Sequence, residues 1–196
     1  VLAALALIAS AACSPSSADK ATSDPTIATE PAPTTTTNPN AVPAVIDNAY
    51  VNRVLAGLDA VDGDVTRLVV KTKTIPREAY DRLRSIYADD KTLQTAIDLI
   101  QVYLRGDLSG FNKEPGNQAT TVNQLITSKA SCIFARVHRD YSAVGPGGSA
   151  PSDRTFIAVK RLDNSRDVSG YNQTGWAIAY EGFLPDNSQP PDPCLN

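Results

Sequence analysis

The stretch CIFARVHRDY, residues 132–141, alternates between two kinds of side chain, and this alternation decides the class of fold. Successive side chains of a strand point to opposite faces of a sheet, so a period of two separates them into two sets. One face carries Cys132, Phe134, Arg136, His138 and Asp140, and the other carries Ile133, Ala135, Val137 and Arg139. The pattern predicts a strand of an antiparallel sheet with polar side chains on its more exposed face.

Three further segments in the second half of the chain have the same character. They are ATTVNQLIT at 119–127, RTFIAVKRL at 154–162 and GWAIAYEGF at 175–183. Each is rich in β-branched and aromatic residues, and clusters of Gly, Pro, Asn, Asp or Ser separate them, which is typical of strands. TSKAS at 127–131 is short enough for a tight hairpin. We therefore predict four strands.

The first half of the chain has the period of helices instead. Apolar residues recur at spacings of three and four over 45–58, 76–87 and 91–105. The segment 63–76, after Asp62-Gly63, predicts a second helix, although its β-branched residues leave a strand possible. Helices followed by strands indicate an α+β fold, with the N-terminal helices packed on a curved four-stranded antiparallel sheet.

Composition changes twice along the chain and divides it into three parts. Residues 1–12 are apolar or small, which predicts a signal peptide whose charged n-region is missing from this sequence. Residues 13–42 are dominated by Pro, Thr, Ser and Ala, which predicts a disordered tether that begins at Cys13. Residues 43–196 then form the predicted α+β domain.

The sequence SAAC at 10–13, followed by SPSS, resembles the lipobox of bacterial lipoproteins. The resemblance implies that Cys13 is lipidated, that the lipid anchors the chain in the cell membrane, and that the domain lies on the extracytoplasmic face. An ordinary secretory signal beside a cysteine is the alternative.

If Cys13 carries lipid, Cys132 and Cys194 remain as an even pair in an oxidising compartment. That setting favours a disulfide between them, which would anchor the proline-rich C-terminal tail. A reactive Cys132 beside His138 is disfavoured because six residues along one strand span about 20 Å.

Two wider resemblances extend these predictions. The order of three helices and four strands over residues 43–184 is similar to that of NTF2-like domains of the cystatin superfold, which implies a conical cavity. The segments 49–65, 86–90, 115–122 and 180–194 resemble an uncharacterised family of actinobacterial lipoproteins. This second resemblance implies an envelope location and no known activity.

Candidate chemistry is sparse. A net charge of -3 and the absence of a basic stripe argue against nucleic acid as a partner. The sequence has a single histidine, and its potential metal ligands do not follow the spacing of a known metal site, so we predict no metal site. No cofactor motif is found either. In an NTF2-like cavity, a carboxylate with a Tyr or His partner transfers protons, which makes His138, Asp140 and Tyr180 the candidate catalytic trio. Alternation places Tyr180 and Trp176 on one face of their strand and Glu181 on the other.

The alternative interpretation of these residues is structural: polar rim positions, with Trp176 and Tyr180 in the core. We favour it. The sequence thus predicts a lipid-anchored cell-envelope protein that acts as a non-catalytic binding or assembly module. Its partner would be an envelope protein or a small apolar ligand. The alternative function is a small-molecule enzyme that uses the cone cavity.

Overall fold

Helices and strands follow one another in two blocks. The computed structural model describes residues 41–106, 108–145, 152–162, 170–184 and 188–195, all of which belong to one unit, 37–196. The predicted signal peptide, Cys13 and nearly all of the predicted tether lie outside the described residues. Within them, the helices are α1 (Asn48–Thr72), α2 (Arg77–Ile86) and α3 (Asp90–Arg105), followed by a 3-10 turn at Leu108–Gly110. The strands are β1 (Ala119–Lys129), β2 (Cys132–Asp140), β3 (Ser152–Arg161) and β4 (Trp176–Phe183).

The four strands form one antiparallel sheet in the order β1-β2-β3-β4. The sheet is open, because β1 and β4 are its two edges. The helices pack on it, so the predicted α+β class and all four predicted strands are confirmed. Tyr87, the residue after α2, also pairs with the edge of the sheet, because it forms a parallel bridge with Ile178 of β4.

Helix α1 is one continuous helix of 25 residues, and the predicted break at Asp62-Gly63 is wrong. Gly63 is instead required by a close contact with a neighbouring segment. A Cβ at Gly63 would lie 2.0 Å from Oδ1 of Asn117 and 3.2 Å from its Cα, so glycine lets the segment before β1 cross the helix closely. The helix also begins at Asn48, later than the start of the predicted segment 45–58. Asp47 is its N-cap, and its Oδ1 accepts a hydrogen bond from the backbone N–H of Tyr50 at 2.7 Å.

The main core lies between α1 and one face of the sheet. Leu55 and Leu58 of α1 are buried in the same cluster as Ile133 and Val137 of β2. Trp176 closes this cluster, and its Nε1–H donates to the hydroxyl of Tyr50 at 2.9 Å. None of the helices in the described part of the chain is long and apolar enough to cross a membrane.

The opposite face of the sheet carries a smaller core that the C-terminal tail covers. Phe134 and Phe156 are buried there beside a disulfide between Cys132 and Cys194, whose Cα atoms are 5.6 Å apart. Lys129 adds a hydrogen bond from its Nζ to the carbonyl oxygen of Cys194 at 2.8 Å. The predicted disulfide is confirmed.

Strand β4 contains a bulge that alters its alternation. Ala158 of β3 pairs with Tyr180, and the next residue, Val159, pairs with Ile178, which leaves Ala179 as an extra residue. Trp176 therefore faces the helices, whereas Tyr180 packs on the opposite face against Phe134. The predicted shared face of Trp176 and Tyr180 is wrong.

Candidate functional site

The first of the predicted trio, His138, lies on the face of the sheet away from the helices. Its Nδ1 is 2.6 Å from Oδ1 of Asp153, a residue at the start of β3. The same Oδ1 accepts a hydrogen bond from Nδ2 of Asn123 at 2.9 Å. Hydrogen bonds from Asn123 and His138 hold the pKa of Asp153 below its ordinary value. Both partners are substantially exposed, so this pair sits in water.

Asp140, the second of the trio, caps a turn. Its Oδ1 accepts a hydrogen bond from the backbone N–H of Ser142 at 2.8 Å. The bonds from Ser142 lower the pKa of this exposed carboxyl. Asp140 is thus an ionised turn residue rather than a proton donor.

Tyr180, the third, does not join the other two. It lies opposite Ala158, which lies opposite Phe134, and Phe134 precedes His138 by four residues on β2. Four residues of strand correspond to about 13 Å. The ring of Tyr180 instead contacts Phe134 edge to face, with centroids 6.3 Å apart. The trio is therefore not brought together.

Charged side chains do converge on the helix-facing side of the sheet. We call Asp59, Asp62, Arg139, Tyr141 and Glu181 the Arg139 cluster. Helix α1 supplies the two aspartates, which are three residues apart and so share one face of the helix. Strand β2 and the residue after it supply Arg139 and Tyr141, and β4 supplies Glu181. Glu181 reaches this side because of the bulge at Ala179, contrary to simple alternation from the sequence.

Asp59 connects α1 to β1. Its carboxylate accepts three hydrogen bonds: from the backbone N–H of Thr120 at 2.7 Å, from the Thr120 hydroxyl at 2.9 Å, and from Nε2 of Gln118 at 3.0 Å. Burial raises the pKa of Asp59, and these bonds with the charge of Arg139 offset only part of the rise. Two of these bonds join α1 to β1, and the third joins it to the residue just before β1, so Asp59 has a structural role.

Arg139 is the buried centre of the cluster, with 4% of its surface exposed. Its Nη1 donates to a carboxylate oxygen of Glu181 and, at 3.4 Å, to the hydroxyl of Tyr141. Burial alone would lower the pKa of the Arg139 guanidinium. Glu181 and Tyr141 raise this pKa by more than burial lowers it, so Arg139 is charged. Its Nε is buried and has no hydrogen-bond partner in the described structure. A buried donor without an acceptor is uncommon and needs an explanation.

Asp62 is half-buried at the edge of the cluster. Burial raises the pKa of its carboxyl to about 6; Arg139 opposes the rise, while Glu181 and Asp59 add to it. Within the described part of the chain, nothing donates a hydrogen bond to this carboxyl, in contrast to Asp59. Asp62 therefore exchanges its proton near pH 6.

The Arg139 cluster was not predicted, although the amino-acid sequence contains a signal for it. Alternation places Arg139 on the same face as Ile133, Ala135 and Val137, and a charge on an otherwise apolar face calls for a partner. Asp59 and Asp62 likewise lie on the apolar side of α1. Which carboxylate meets Arg139 depends on the packing of α1 and on the β4 bulge, and neither is visible in the sequence.

A depression is also present beside α1 and α2. Its walls are Leu68 and the charged residues Asp64, Arg67, Lys71 and Arg82. Asp64 binds Arg67 at 2.6 Å and Arg82 at 2.7 Å, so the charges pair with one another. It is open to solvent, and charged side chains make up most of its walls.

Fold and site together define an α+β domain with an open antiparallel sheet and a buried charged cluster between sheet and helices. In the regions described, no group of three or more His, Cys, Asp or Glu side chains is placed to hold a metal ion. No family model, curated protein or solved structure matches this chain.

Proposed function

We propose that this chain is a lipid-anchored protein of the cell envelope that acts as a non-catalytic binding or assembly module. The lipobox-like sequence at Cys13 supports the anchor. An envelope protein with an apolar docking surface is the proposed partner, because a tethered domain meets other envelope proteins at high local concentration.

An exposed apolar stripe on α3 carries this proposal. Helix α3 buries Leu93 and Ile97 against the neighbouring helices. On its far side, Leu99 and Val102 are each 54% exposed and Tyr103 is 45% exposed. The three lie at positions i, i+3 and i+4, so they form one stripe. A helix with a second apolar stripe in water is typical of a surface that binds another protein.

Site-specific photocrosslinking in cells tests the docking surface. A photoreactive amino acid at Leu99 should give one discrete protein adduct, whereas the same group at Gln101, exposed on another side of α3, should give none. A Val102→Glu change added to the Leu99 probe should remove the adduct. Equal crosslinking at both positions, adducts with lipid only, or an adduct of two copies of this chain would contradict the proposal.

The alternative proposal is a small-molecule enzyme that uses a cavity between helices and sheet. The dispersal of His138, Asp140 and Tyr180 weakens the mechanism first expected for it. Its remaining support is Asp62, the carboxyl whose pKa is raised to about 6 beside Arg139. A small apolar ligand has less support, because charged side chains line both the Arg139 cluster and the depression beside α2.

A further inference from the structure

The Arg139 cluster has a buried base and a partly exposed rim. Arg139 is buried, whereas Asp62 and Tyr141 are half-buried and the side chain of Glu181 is 38% exposed. The rim residues come from α1, from the end of β2 and from β4, so they surround the guanidinium from three elements. A ligand of the buried guanidinium would have to enter between these rim residues.

Hydrogen-bonding capacity remains unused at both levels. At the base, Nε of Arg139 has no acceptor among the described residues, while Nη1 donates to Glu181 and Tyr141. At the rim, the carboxyl of Asp62 has no donor from the described residues. Leaving a buried donor unpaired costs the full desolvation free energy of that group, so an occupant that bonds to it is favoured.

The charge of the cluster selects among possible occupants. Asp59, Asp62 and Glu181 surround one guanidinium, so the carboxylates outnumber the cation. A phosphate or carboxylate ligand would be repelled by this excess. A cation would satisfy Asp62 but could not accept from Arg139, because ammonium and guanidinium groups are donors only. An uncharged group with both an acceptor and a donor fits both positions.

We propose that the Arg139 cluster binds a small uncharged polar molecule. A carbonyl or hydroxyl oxygen of the ligand accepts from Nε of Arg139, and an N–H or O–H group of the ligand donates to Asp62. The raised pKa of Asp62 is consistent with a carboxyl that lacks a donor until the ligand arrives. This site is separate from the α3 stripe, so either proposal can fail alone.

A matched pair of probes tests the site: acetamide, which is uncharged and has both groups, and acetate, which has the same shape and a negative charge. The readout is the NMR signal of the Arg139 Nε–H in ¹⁵N-labelled protein at pH 7.5. Acetamide should shift this signal with a saturable curve in the millimolar range, as expected for a ligand of four heavy atoms. Acetate should leave it unchanged.

Two variants at aspartates provide the controls. Asp62→Ala removes the proposed acceptor and should weaken acetamide binding by about tenfold or more. Asp98→Ala, at an exposed position of α3, should bind acetamide like the wild type. The proposal is overturned if the shift does not saturate, if acetate matches acetamide, or if Asp62→Ala binds as well as the wild type. A long-lived water at Arg139 Nε–H that acetamide fails to displace would overturn it too.

Discussion

At the scale of single residues, Asp59 and Asp62 show how hydrogen bonding separates two carboxyls in one environment. Both lie on the same side of α1 near Arg139, and burial raises the pKa of each. Asp59 receives three hydrogen bonds that offset part of this rise, and Asp62 receives none from the described residues. Asp62 is accordingly the residue whose protonation should affect stability between about pH 4 and pH 6.

We expect Asp62 to make the free energy of unfolding fall as the pH rises from about 4 to about 6. Its pKa is about 6 in the folded protein and about 3.9 in the unfolded chain, so the folded state holds the extra proton in that window. Above about pH 6 the free energy of unfolding no longer falls because of Asp62. Asp62→Asn has no carboxyl to titrate, so its free energy of unfolding at pH 7.5 should exceed that of the wild type by on the order of 2 kcal/mol.

Urea unfolding between pH 4 and pH 8 measures this difference. The groups that face Asp62 are Arg139, Glu181, Asp59 and Tyr87. Asp59 has its own raised pKa and contributes a slope of the same sign in both proteins, so only the difference belongs to Asp62. The exposed Asp98→Asn should differ from the wild type by no more than about 0.5 kcal/mol. Parallel curves for wild type and Asp62→Asn would rule out the assigned pKa.

At the scale of elements, Gly63 shows that a glycine inside a helix can be required by a neighbouring segment. Alanine there would place its Cβ 2.0 Å from Oδ1 of Asn117, which also accepts a hydrogen bond from Nη1 of Arg67 at 3.0 Å. Helix propensity alone favours alanine by about 1 kcal/mol. We expect the clash to dominate, so Gly63→Ala should lower the free energy of unfolding by about 1–3 kcal/mol.

The matched control is Ala56→Gly, at an exposed position of the same helix. It changes propensity without a clash and should cost up to about 1 kcal/mol in urea unfolding. If Gly63→Ala instead stabilised the protein by a similar amount, the close crossing of α1 by Asn117 would not exist.

The disulfide between Cys132 and Cys194 fixes the tail to the outer face of the sheet. It closes a loop with a sequence separation of 62 residues, for which chain entropy predicts a stabilisation of about 4 kcal/mol. The double variant Cys132→Ala, Cys194→Ala should therefore lose about 2–4 kcal/mol in thermal or urea unfolding. Wild-type protein treated with a reductant should lose a similar amount. An unchanged midpoint in both would mean that the tail does not contribute to stability.

These elements also show what the sequence can predict. All four strands were predictable because β-branched and aromatic residues alternate between turn-forming clusters. The bulge was not, since Ala179 has no local feature that marks it as the extra residue. As a result, the faces of Tyr180 and Glu181 were both assigned wrongly, and the Arg139 cluster, which contains Glu181, was not predicted. Similarly, Asp62-Gly63 reads as a helix break, because the approach of Asn117 is a tertiary contact.

At the scale of the whole molecule, the proposed function depends on where the domain is held. His138, Asp140 and Tyr180 occupy separate places on the outer side of the sheet. We therefore expect His138→Ala, Asp140→Ala and Tyr180→Phe each to complement a strain that lacks this gene. Cys13→Ser should fail, because it releases the domain from the membrane. If any of the three failed while folded and anchored, the enzyme proposal would replace the binding module.

Mass spectrometry of the mature protein from the membrane fraction tests whether a lipid on Cys13 anchors the domain. We expect an N-terminal peptide that begins at Cys13 and carries a diacylglyceryl group on its sulfur. A mature chain with an unmodified Cys13 thiol, recovered from the medium rather than from membranes, would contradict it.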